Sequence, residues 1–84
     1  MKTSIKIINE TGKEGLALIK FIPETTGESS LLKRAVELTY QEEDHEEIDR
    51  YINSAIASLK RGFQPLEGAE INTSFETIVR ITRV

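Results

Sequence analysis

Eighty-four residues, 38% hydrophobic and 30% charged with a net charge of −3, make a chain long enough for one small core and too short for two. A single domain over residues 1–84 is therefore expected. The absence of cysteine excludes a disulfide framework, a thiolate metal site and a cysteine nucleophile together. No stretch approaches the roughly 18 apolar residues of a membrane span, and Met1-Lys2-Thr3-Ser4 lacks the apolar opening of a signal peptide, so a cytoplasmic setting is expected.

Residues 3–9 are rich in β-branched side chains, with Ile5 and Ile7 on one face and Lys6 and Ile8 on the other, which predicts a first strand. Gly12 and Gly15 then allow a turn into a second strand over residues 16–22, closing a hairpin that Pro23 ends. Residues 24–30 read as a polar connector. The next stretch fits two periods. Leu31, Leu32, Ala35, Val36 and Leu38 make a helical stripe, while Arg34, Val36, Leu38 and Tyr40 alternate against Ala35, Glu37, Thr39 and Gln41. The strand propensity of Val36-Glu37-Leu38-Thr39-Tyr40 favours a third strand over residues 33–41, with a short helix as the alternative.

The clearest element is a helix over residues 44–61. Asp44 serves as its cap with Glu47 three positions on, and Ile48, Tyr51, Ile52, Ala55, Ile56 and Leu59 form one apolar stripe. Lys60 and Arg61 complement the negative end of the dipole, and Gly62 suits the C-terminal cap. Residues 63–70 read as a loop in which Phe63 and Leu66 close the core beneath the helix end. Residues 72–84 alternate as a last strand, placed parallel to its predecessor by a right-handed helical crossover. The fold class is accordingly α+β: a two-layer sandwich with a four-stranded mixed sheet, ordered β-β-β-α-β, and one amphipathic helix on one face.

That arrangement leaves an uncovered surface. The second strand is apolar on both sides, with Ala17, Ile19 and Phe21 on one and Leu16, Leu18 and Ile22 on the other, yet helix covers only one side of a two-layer domain. Ile8, Leu16, Leu18 and Ile22 are therefore candidate homodimer contacts, two-fold dimers being the commonest oligomers; a partner protein and a partly wet face of single exposed apolar residues are the alternatives.

Charge is polarised as well. Glu42, Glu43, Asp44, Glu46, Glu47 and Asp49 put six acids into eight positions, so this segment holds −6 while the rest, with eight acids against eleven bases, holds +3. Glu42, Glu43, Asp44, His45, Glu46 and Asp49 are the candidate contacts to a basic protein partner; the plainer account is a well-capped helix start. His45 with Glu42, Glu46 or Asp49 has no second histidine and no calcium-loop spacing, so no metal is expected. No nucleophile elbow, phosphate loop or dinucleotide glycine pattern occurs, so neither catalytic residues nor a cofactor are expected.

These features predict a non-enzymatic binding module, a small acidic inhibitor or adaptor that docks on a basic site of a larger partner, of a size suited to phages and mobile elements. The alternative is a small-ligand, nucleotide or oligonucleotide binder that uses Lys6, Lys20 and Arg80 on the sheet, with Phe21, Phe63 or Tyr40 at its edge. General nucleic-acid affinity is not expected of a chain with excess acid.

Overall fold

The structure, a computed structural model, describes residues 1–65 and 70–84. In chain order its elements are β1 (Lys2–Thr11), β2 (Glu14–Ile22), α1 (Thr26–Val36), α2 (Glu42–Ala57), β3 (Phe63–Pro65) and β4 (Glu76–Arg83). The strands form one sheet in the order β1-β2-β4-β3, and every neighbouring pair is antiparallel. The α+β two-layer sandwich with four strands is as the patterning implies, but the order of its elements is not.

β1 and β2 make the expected hairpin. Thr11 pairs with Glu14 across a two-residue turn, where Gly12 takes the φ of +63° that such a turn demands of its first residue. The register slips once, between Ile7 and Asn9, with Ile8 as the extra residue of a bulge. Gly15 faces this kink. A Cβ there would stand 2.8 Å from the Asn9 carbonyl oxygen, so the close approach depends on glycine.

Residues 33–41 are not a strand. Residues 33–36 are the last turn of α1 and residues 37–41 link it to α2, and the supposed polar connector supplies the helix's first five residues. Thr25 is the N-cap, its hydroxyl accepting the Glu28 N–H at 3.1 Å, and Leu31, Leu32 and Ala35 bury the stripe. Burial of that stripe outweighs the strand propensity of the next five residues. The parallel crossover fails for the same reason. With that strand gone, β4 pairs with β2 and β3, and no helix lies between β3 and β4 among the described residues, so both contacts are antiparallel and the sheet is not mixed.

α1 ends in a paired set of backbone bonds, with Leu38 N–H donating to Ala35 O at 3.2 Å and Thr39 N–H to Arg34 O at 2.9 Å. This geometry puts Leu38 at a φ of +58°, where glycine is usual, with 68% of its surface exposed. Leu38→Gly should relieve about 1–2 kcal/mol of left-handed strain against about 0.4–1 kcal/mol of added unfolded-state freedom. A net gain of about 0.5–1 kcal/mol is therefore expected, read as a higher urea midpoint at unchanged slope.

α2 begins at Glu42, two residues earlier than expected, and ends at Ala57, short of Gly62. Its N-cap is Gln41, and Asp44 occupies the third helical position, where its carboxylate accepts the Gln41 N–H at 3.0 Å. Both helices lie on one face of the sheet. Ile48, Ile52, Ala55 and Ile56 of α2 and Leu31, Leu32 and Ala35 of α1 share a core with Ala17, Ile19 and Phe21 of β2 and Val79 and Ile81 of β4. Phe63 is buried in this core as expected, although it belongs to β3 and not to a loop; the expectation for Leu66 lies outside the described residues.

Candidate interaction surfaces

Among the described residues, the sheet's other face carries no layer. Strand alternation and register assign to it Lys2, Ser4, Lys6 and Asn9 of β1, Glu14, Leu16, Leu18, Lys20 and Ile22 of β2, and Glu76, Ile78, Arg80 and Thr82 of β4. Three rows cross its centre: Ser4–Lys20–Glu76, then Lys6–Leu18–Ile78, then Asn9–Leu16–Arg80. Leu16, Leu18 and Ile22 thus share this face as expected. Ile78, not singled out from the sequence, joins them opposite Leu18 and is 58% exposed, while Ile22 is 46% exposed. Ile8 is exposed in the bulge and has no place in these rows. Glu76, Ile78 and Arg80 alternate in the sequence, and that spacing is the signal that places Ile78 on this face.

Lys6, Lys20 and Arg80 also lie on this face, but not as one basic patch. Lys20 is directly opposite Glu76, and Arg80 comes within 3.5 Å of Glu14. Arg80 and Lys20 are four residues apart along the sheet, about 13 Å. The aromatics expected beside them are elsewhere. Phe21 and Phe63 are buried in the core, and Tyr40 stacks on His45 with ring centroids 3.9 Å apart. A shallow depression at the hairpin end of the face is lined by Asn9, Thr11, Glu14, Gly15, Leu16 and Arg80.

The acidic segment divides into two kinds of residue. Asp44 is not an exposed contact: its two oxygens accept from Arg34 Nε at 3.0 Å and Nη2 at 2.9 Å, tying the start of α2 to the end of α1. The Arg34 guanidinium, seconded by the Gln41 N–H, holds the Asp44 carboxyl below its usual range. Glu42, Glu43, Glu46 and Asp49 are exposed on the helix, as is His45 beside Tyr40. Glu47 accepts from the Tyr51 hydroxyl at 3.4 Å. Elsewhere, Glu10 accepts from Arg61 at 2.7 and 2.8 Å, and this pairing, with Arg83 close by, lowers its pKa.

Among the described residues no group of three histidine, aspartate or glutamate side chains is gathered for a metal ion, and no helix is long and apolar enough to cross a membrane. No family model matches the chain, and neither a characterised protein nor a solved structure matches it.

Proposed function

We propose that this chain is a non-enzymatic protein-interaction module whose binding surface is the outer face of its sheet and whose occupant there is a second copy of the chain. The carrying observation is the apolar cluster of Leu16, Leu18 and Ile78, with Ile22 on the same face beyond the Lys20 row and no layer over them among the described residues. The charges around it favour a copy of the chain over a partner of one sign, since Lys6, Lys20 and Arg80 stand among Glu14 and Glu76. The face spans about 30 Å along β2 and about 15 Å across the strands. That is about 900 Å² over the two copies, in the range of weak interfaces, so association is expected at high micromolar concentration. The exposed acids of α2 lie in the helical layer on the opposite side of the sheet. The inhibitor or adaptor role, in which Glu42, Glu43, Glu46 and Asp49 meet a basic partner, therefore uses a second surface that self-association leaves open.

Light scattering from about 10 to 500 μM should give a mass rising toward two chains. Ile78→Asp, which places a charge on an already exposed position, should weaken association roughly a hundredfold and leave the melting temperature of the monomer unchanged. Reversal of Glu42, Glu43 and Glu46 to lysine should leave the mass as it is. A monomer across the whole range, or a dimer indifferent to Ile78→Asp, sinks the reading.

A further inference from the structure

We infer that the two copies meet about a two-fold axis that crosses the strands at the Lys6–Leu18–Ile78 row, so that Glu76 of each copy faces Arg80 of the other. The inference rests on self-association through the outer face and adds its register. Glu76 and Arg80 lie two residues to either side of Ile78 on β4, on the same face. Rotation about an axis perpendicular to the strands through that row exchanges the row on one side for the row on the other. Leu18 and Ile78 then meet their own counterparts at the centre, and the Glu76 and Arg80 rows exchange, giving two opposite-charge contacts per dimer. Lys20 falls over the second copy's Leu16, where its long apolar stem packs and its ammonium reaches the rim. Lys6 meets its own counterpart at the β1 edge, and both side chains turn outward to water.

The competing two-fold arrangement, with its axis along β2, has no such complementarity. It stacks Lys20 on Lys20 in the middle of the face and sets Glu76 over Ser4 and Arg80 over Asn9. The two Glu76–Arg80 contacts, set against one Lys6–Lys6 approach at the β1 edge and Glu14 over Ile22 at the ends, favour the crossing axis, which brings the two sheets together with antiparallel strands, in the aligned class of sheet packing. Arg80 already approaches Glu14 within its own chain, and the second copy's Glu76 would be a further partner for it.

Two measurements on the full chain test this. Glu76→Arg alone places arginine over Arg80 at both contacts, and Arg80→Glu alone places glutamate over Glu76. Each variant alone should associate at least tenfold more weakly than the parent, and an equimolar mixture of the two should recover the parental mass, because both contacts are then complementary. Crowding of the new side chains by Lys20 or Glu14 within one chain is the same alone and in the mixture, so it cannot produce the rescue. If wild-type dimer forms and Ile78→Asp breaks it, yet the mixture associates no better than its components, this register is overturned and the face stands. A wild-type monomer removes both.

The second measurement needs neither charge variant. The chain has no cysteine, so Lys2→Cys carries a single spin label at the rim. Lys2 is four residues from the proposed axis, since it pairs with Ile22 and Leu18 is in the axial row. The crossing axis sets the two labels about 28 Å apart, and an axis along β2 sets them about 14 Å apart. A distance near the shorter value overturns the proposal.

Discussion

Leu32→Ala is expected to cost about 3 kcal/mol of folding stability, while Lys33→Ala, one residue on, should stay within about 0.5 kcal/mol. Leu32 is 0% exposed and lies where α1 meets the sheet, so truncation leaves a cavity that only neighbouring core residues can fill. At about 0.05–0.15 kcal/mol per residue, a domain of this size holds a total of about 4–12 kcal/mol. The melting temperature should therefore fall by about 12–24 °C. Thermal unfolding followed by circular dichroism measures this, and a Leu32→Ala loss under about 1 kcal/mol would falsify the packing described for α1.

Acid should open the junction between the two helices. Asp44 and Glu10 both have folded pKa values below their ordinary ones, chiefly through Arg34 and Arg61 respectively. For a carboxylate so lowered, the contribution to stability is complete above the unfolded pKa, near 4, and is lost as pH falls through the lower folded value. Urea midpoints taken from about pH 7 down to about pH 2 should therefore fall on the acid side. Asp44→Asn keeps an oxygen for the Gln41 N–H and removes the charge that Arg34 needs. The variant should be less stable than the parent near neutrality and converge on it in acid. Parallel curves would show that Arg34 and Asp44 contribute no net coupling to the fold.

Elements whose period matched one buried face were legible in the sequence: the β1–β2 hairpin, α2 and β4 all follow from where isoleucine, leucine and valine recur. What escaped was set by contacts at a distance or by missing punctuation. α1 announces itself in Thr25-Thr26-Gly27-Glu28, a capping sequence, yet its exit carries Leu38 where a glycine would have marked the stop. Phe75, at a φ of +57° before β4, likewise occupies a turn position that glycine or asparagine usually signals. The described part of β3, Phe63–Pro65, is too short to show any period. At the surface, Leu16, Leu18 and Ile22 were readable because one layer of helix cannot cover two faces. The role of Asp44 was not, because its partner Arg34 lies ten positions back on another helix.

The two borders of the sheet bear on how large any assembly can grow. Along one runs β1, with Lys2 and Lys6 among its residues and a bulge at Ile8 that breaks the regular spacing of its backbone groups. Along the other runs β3 (Phe63–Pro65), in which Pro65 has no N–H to offer an incoming strand. Both are devices that discourage strand-by-strand extension. Molecules that meet face to face about a two-fold axis use up the apolar surface of each, and the borders give little template for a third. If the chain pairs as proposed, closed pairs are expected in preference to fibres, and a substitution that straightened β1 is expected to reopen the path to polymer.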